Sequence, residues 1–112
     1  MQKYLSLNEN KDFRRTYHRG KSCAKPALVV YSVKNRVGVC RVGITVSKKI
    51  GNAVERNRSR RIIREAFRSV MAQYETKGNF DLVFVARTRT KFMKSNVLEK
   101  SMTELLKEVG VI

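Results

Sequence analysis

Acidic residues are scarce in this chain: 9 Asp and Glu stand against 25 Lys and Arg in 112 residues, a formal charge of +16. That excess is larger than solubility requires, and it points to an anionic partner, either nucleic acid or an anionic membrane surface. Long apolar runs are missing as well. The first fifteen residues, MQKYLSLNENKDFRR, hold none fit for a signal peptide, and no segment approaches the roughly eighteen apolar residues of a membrane span. A soluble, cytoplasmic protein with no membrane partner is expected.

Cysteine and histidine are equally sparse. Cys23, Cys40 and His18 fall short of the usual set of about four Cys/His ligands of a structural zinc site and form no C-x-x-C. Free thiols and no metal site are expected. The acids lie singly, at Glu9, Asp12, Glu55, Glu65, Glu75, Asp81, Glu99, Glu104 and Glu108, and His18 has no evident acid–base partner. A protein nuclease needs clustered carboxylates or a His-centred pair, so the chain is expected to carry no hydrolytic chemistry of its own. There is one proline, Pro26, and no linker, repeat or low-complexity tract. With 42% hydrophobic residues, positions 1–112 read as a single domain with one core.

What is present falls into alternating elements. A first helix is predicted over about 8–19, capped by Ser6 or Asn8, with Ser6-x-x-Glu9 at capping-box spacing and Gly20 as its stop. A short strand near 21–24 precedes ALVVYSV (27–33), a turn at NRVG (35–38) and a strand over 37–47. In that strand Cys40, Val42, Ile44 and Val46 share the core side, and Arg41, Gly43 and Thr45 face solvent or a ligand. Asn52-x-x-Glu55 caps a long helix running to about Tyr74, FDLVFVAR (80–87) is a buried last strand, and Asn96-x-x-Glu99 opens a final helix with Leu98, Met102, Leu105, Leu106 and Val109 on one face. The order is α-β-β-β-α-β-α, an α+β sandwich on one mixed four-stranded sheet.

The long helix raises the functional question. Its stretch RNRSRRIIREAFR (56–68) sets Ile62, Ile63, Ala66, Phe67, Val70 and Tyr74 on one stripe. Asn57, Arg61, Arg64 and Arg68 form a polar row opposite, with Arg56 and Arg60 on one flank and Arg58 on the other. Arg56–Arg60, Arg60–Arg64 and Arg64–Arg68 are like-charge pairs at i,i+4, each costing on the order of 0.2–0.5 kcal/mol in an isolated helix. Arg58–Arg61 and Arg61–Arg64 add the same repulsion at i,i+3. Glu55–Arg58, Arg61–Glu65 and Glu65–Arg68 are the only opposing pairs. A solvated face would scatter glutamates here; a polyanion turns the repulsion into binding energy. Arginine's planar fork suits phosphate, and Lys48, Lys49 and the helix N-terminus extend the patch.

Phe13 and Tyr17, interleaved with Arg14, Arg15 and Arg19 on the first helix, and Tyr31 in the following strand, fit a surface for single-stranded nucleic acid, where bases stack on rings and the backbone follows positive charge. Phe13 and Tyr17 could equally staple that helix to the sheet.

KKIGNAVERNRSRRIIREAFR (48–68), preceded by VGITVS, resembles the signature of the bacterial ribonuclease P protein subunit. NENKDFRRTYHRGKS (8–22) is similar to that family's opening helix, and FDLVFVAR to its last strand. The resemblance implies a ribosomal-protein-like fold with a left-handed βαβ crossover between strands 37–47 and 80–87. It implies that Arg56, Asn57, Arg58, Arg60, Arg61 and Arg64 lie at or near the catalytic RNA of ribonuclease P, and that Phe13, Tyr17 and Tyr31, with Lys48 nearby, line a cleft for the single-stranded 5′ leader of precursor tRNA. Magnesium would be held mainly by the RNA, and no obligate protein partner is implied. Leu28 stands where the family often has an aromatic, and the long basic extensions of some members are lacking. A ribosomal or assembly protein that binds RNA without a leader cleft, and a nucleoid-type DNA binder, remain as rival readings.

Overall fold

The two faces of one sheet decide the layers. The computed structural model describes residues 4–112: β1 (Tyr4–Ser6), α1 (Asn10–Arg19), β2 (Lys21–Lys25), β3 (Leu28–Lys34), β4 (Cys40–Thr45), α2 (Ala53–Gln73), β5 (Phe80–Ala86) and α3 (Ser95–Glu108), with short 3-10 turns at Lys48–Ile50 and Thr90–Phe92. The sheet order is β1-β4-β5-β3-β2. β4 runs parallel to both β1 and β5, while β3 is antiparallel to β5 and β2. The mixed sheet expected from the sequence is present with one more strand. β1 is three residues long, too short to show an alternating pattern, and it exists because the edge of β4 offers unpaired backbone groups from Cys40 to Val42.

Several boundaries differ from the sequence reading. Ser6 belongs to β1 and caps nothing; Glu9 is the N-cap of α1, without a side-chain hydrogen bond. α3 begins at Ser95 with Lys94 at the cap, one residue before Asn96. β4 starts at Cys40 because Asn35 organises the preceding turn, accepting from the Val37 N–H at 3.1 Å and donating to the Val39 carbonyl at 3.0 Å. Gly20 does end α1, but in extended backbone (φ −77°). Glycine is needed there because a Cβ would lie 2.4 Å from the Thr16 carbonyl oxygen.

One face of the sheet carries Leu28, Val30, Cys40, Leu82 and Phe84 and is covered by α2 and α3. Ile63, Ala66, Phe67 and Val70 of α2 and Leu98, Met102, Leu105 and Leu106 of α3 are buried, as their helical spacing predicts. Phe67 and Phe84 meet with ring centroids 5.4 Å apart. Each such side chain contributes roughly 1.5–3 kcal/mol by leaving water. Both thiols are free, Cys40 buried and Cys23 half-buried.

The opposite face holds α1, and a charge cluster holds α1 there. Asp81 is 0% exposed. It accepts from one edge of the Arg41 guanidinium, through Nε and Nη2, each at 2.8 Å, and from Asn35 at 2.8 Å. Arg15 of α1 donates to the same carboxylate, and Arg41 reaches Asp12 of α1 at 3.4 Å. The alternation that suggested solvent or ligand for Arg41 placed it on the right face. That face is covered by α1, and the partner of Arg41 is internal. Phe13 seats α1 a second time: it lies over Gly43, where an added Cβ would fall 2.5 Å from the ring.

Burial alone would push the Asp81 carboxyl up. Hydrogen bonds from Arg41 and Asn35 and the charges of Arg41 and Arg15 outweigh burial and hold it below its ordinary 3.8. Because the folded value is the lower one, this stabilisation is complete above pH 3.8 and is lost as pH falls through the folded value. Asp81→Asn should therefore lower stability at neutral pH by about 3–5 kcal/mol, since it leaves two partly buried guanidinium groups, Arg41 and Arg15, with Asp12 as their one remaining carboxylate, and should flatten the acid limb of stability against pH. Urea unfolding across pH checks both; a variant within about 0.5 kcal/mol of the unchanged chain would show that the cluster does not hold the fold.

Candidate nucleic-acid interface

The capping box predicted at the start of α2 is present: Asn52 Oδ1 accepts from the Glu55 N–H at 2.9 Å, and Glu55 Oε1 accepts from the Asn52 N–H at 3.0 Å. This corrects the idea that the helix N-terminus is open to phosphate. The Glu55 carboxylate already sits there, paired with Lys91 at 2.9 Å. The Lys91 contact, then the Asn52 N–H, hold its carboxyl below the usual carboxylate range. Lys48 and Lys49 are exposed on the turn just before the helix.

With Glu55 turned to Lys91, the arginines lose one expected counter-ion. Glu65 makes no ion pair among the described residues, so neither of its expected pairs, with Arg61 and with Arg68, forms. Arg56 donates to the Gly51 carbonyl at 2.8 Å and Arg60 to the Asn57 side chain at 3.1 Å. Arg58, Arg61, Arg64 and Arg68 are exposed and carry no ion pair among the described residues. The buried side of the helix includes Ser59, whose hydroxyl returns to the Glu55 carbonyl at 3.1 Å, so the short residue in the run is the one turned inward.

The arginines divide between two flanks of the helix. Arg60, Arg64 and Arg68 line a groove of about 390 Å³ with Phe13, Val42 and Ile44. Arg58 and Arg61 face a different hollow, against the link that leads into α3. Residues three apart on a helix differ by roughly 60° in direction, enough to part Arg61 from Arg64.

The β1 ladder ends at Val42, whose carbonyl still accepts from the Leu7 N–H at 2.8 Å, and β1 pairs with no residue of β4 beyond it. Here the first groove meets a second, of about 680 Å³, lined by Asn10, Arg14, Tyr17, Thr45 and Val46; Phe13, Ile44 and Arg60 belong to both. The result is a continuous basic and aromatic channel from α1, round the sheet edge, to α2. Tyr17 is 36% exposed and shares a 2.6 Å hydrogen bond with the Thr45 hydroxyl. Tyr31 stands behind it, edge-on at 4.9 Å, on the sheet and not in the channel wall. Phe13 and Tyr17 thus fasten α1 to the sheet and also present ring surface to the channel.

The Arg41–Asp81–Arg15–Asn35 cluster was missing from the sequence reading. Its signal was present: an aspartate in an otherwise apolar strand, opposite an arginine in register (Arg41↔Asp81). Among the described residues no group of three His, Cys, Asp or Glu could hold a metal ion, and no helix is long and apolar enough to cross a membrane.

The Ribonuclease P family model matches residues 1–110. The chain is similar to the ribonuclease P protein component of Clostridium novyi, at 44% identity over 99% of this chain and 98% of that one. It is also similar to that of Clostridium botulinum (strain Langeland), at 41% over 94% of each. Its fold is similar to the RNase P protein of Staphylococcus aureus, with a TM-score of 0.82 at 36% identity over 96% of each chain. For the Thermotoga maritima RNase P protein the TM-score is 0.79 at 29% identity, over 93% of this chain and 96% of that one. The bare arginine helix, the fold and these matches agree: the chain belongs to the ribonuclease P protein family, the protein side of a ribonucleoprotein endoribonuclease whose partner is the ribonuclease P RNA.

Proposed function

We propose that this chain binds the catalytic RNA of ribonuclease P through the arginines of α2 and holds the single-stranded 5′ leader of precursor tRNA in the channel beside α1, supporting endonucleolytic release of that leader. The observation that carries this reading is the continuity of the two surfaces. Arg60 and Phe13 belong to both, so one strand of RNA can pass from stacking rings to guanidinium groups without leaving the protein. On the α2 side, Arg56, Asn57, Arg58, Arg61, Arg64 and Arg68, with Lys48 and Lys49 before the helix, take phosphates. On the α1 side, Arg14 follows the leader backbone, and Phe13 and Tyr17 stack its bases, with Tyr31 supporting Tyr17 from behind.

Hydrolysis of the phosphodiester belongs to the RNA in this reading. Magnesium, held by the RNA, supplies charge neutralisation at the reacting phosphate when bound. Among the described residues the dispersed acids give no donor set for such an ion. The protein contributes affinity and register: it removes phosphate repulsion between catalytic RNA and substrate and fixes where the leader begins.

The deciding experiment incubates precursor tRNA with a bacterial ribonuclease P RNA at low magnesium and moderate salt, with and without the protein. Cleavage at the mature 5′ end should appear only with the protein; unchanged RNA activity with retained binding would make the chain a general RNA binder of the ribosomal kind. Arg61→Ala with Arg64→Ala should weaken assembly with the catalytic RNA and reduce the salt slope of log K by about 2, roughly one unit for each phosphate no longer neutralised. An unaltered slope would remove these side chains from the phosphate interface. Phe13→Leu, which keeps an apolar side chain over Gly43, should weaken leader-bearing substrate by ~1–3 kcal/mol, the loss of one stack, and Tyr31→Ala should weaken it by less, since Tyr31 acts through Tyr17. Equal effects on mature tRNA would contradict a leader role.

A further inference from the structure

The link between β5 and α3 reads RTRTKFMK (87–94), an aromatic among four cations. It is pinned from two sides. Thr90 is buried; its hydroxyl donates to the Ala27 carbonyl at 2.6 Å and accepts from the Arg87 N–H at 2.9 Å. Lys91 donates to the Ile50 carbonyl at 2.7 Å besides pairing with Glu55. These anchors hold the 3-10 turn in place and leave the Phe92 ring 77% exposed. Phe67, Phe80 and Phe84 are buried and Phe13 sits in the channel, so Phe92 alone among the phenylalanines projects into solvent.

A single exposed apolar side chain is ordinary. The surroundings of Phe92 are not. On one flank lies a hollow of about 500 Å³ walled by Arg58, Arg61, Lys91 and Lys94. Glu65, the acid in that wall, pairs with none of them. The Lys91 ammonium stands 5.2 Å from the Phe92 ring centroid. On the other flank Arg89 and Met93 border a second hollow with Pro26 and Ala27. An apolar protein surface docking here would have to desolvate unpaired guanidinium and ammonium groups at its rim. A nucleotide meets both demands, with a flat base for the ring and phosphates for the cations.

We propose that Phe92 is a stacking platform for one unpaired RNA base, with Arg58, Arg61 and Lys94 taking the phosphates beside it. This rests on the RNA-binding reading above and adds a second aromatic contact, on the flank of α2 turned away from α1. Because a duplex hides its base faces, the target is a bulge, a loop or a single-stranded joint.

The chain contains no tryptophan, so Phe92→Trp installs a unique fluorophore at the site. Ribonuclease P RNA is titrated first and precursor tRNA second, with binding followed separately by filter retention. Trp emission should be quenched in step with binding, at an affinity close to that of the unchanged chain. Phe92→Ala, with its fold verified by circular dichroism, should bind roughly 5- to 150-fold more weakly, the removal of one stack at ~1–3 kcal/mol and 1.36 kcal/mol per decade. Its salt slope should stay unchanged, since every phosphate-binding cation is still in place. Quenching by the catalytic RNA alone assigns the base to that RNA; quenching only after precursor tRNA assigns it to the substrate, and either result upholds the platform. An unquenched Trp on RNA-saturated protein overturns it and leaves the α2 interface standing, whereas failure of the unchanged chain to bind either RNA would overturn the RNA reading itself. Emission that shifts with protein concentration in the absence of RNA would overturn the platform in favour of self-association.

Discussion

A buried carboxylate determines where everything else in the interface lies. Asp81 sits in the middle strand of the sheet, fully covered, and gathers Arg41 from the neighbouring strand, Asn35 from the turn and Arg15 from α1. An isolated charge at that depth would be strongly unfavourable. With Asp12 included, two guanidinium groups face two carboxylates, so the cluster is locally balanced inside a chain of net charge +16. Because two of its members are on α1, the cluster sets the height and direction of that helix over the sheet. Phe13 and Tyr17 take their positions from it, and with them the channel.

The acids of the chain are placed so that the α2 face stays bare. Asp12 and Asp81 serve the cluster, Glu55 caps α2 and pairs with Lys91, Glu104 pairs with Lys25 and Glu9 with Lys11. Glu65, the one acid within the arginine run, forms no ion pair among the described residues. Repulsion among the arginines is tolerated because α2 is held by its buried stripe, from Ile62 and Ile63 to Val70, against the sheet and α3. Core burial of several such side chains outweighs a few like-charge pairs at a few tenths of a kcal/mol each. The helix can therefore present unneutralised charge to a polyanion without depending on that partner to fold.

Helical spacing and strand alternation are local properties, and they were readable. The apolar stripes of α2 and α3, the Asn52–Glu55 capping box and the inward side of β4 follow from residues a few positions apart. So does the excess of arginine on α2, which is a fact of composition. β1 was not readable, because three residues carry no period and their pairing depends on a free edge thirty-odd residues away.

The chain alone thus determined which residues are core, which are cationic and where each helix begins to within a residue or two. Tertiary structure decided the contacts between segments far apart in sequence. Only packing could show that Arg41 answers Asp81 and not solvent, that Glu55 turns to Lys91 and leaves Arg58 free, and that Arg60 and Phe13 line one groove. It also decided that Phe92 projects outward while the turn beneath it is pinned by Thr90. The physical reason is the same in each case: periodicity fixes the direction of a side chain about its own element, but its partner depends on which other element the core brings within hydrogen-bonding reach.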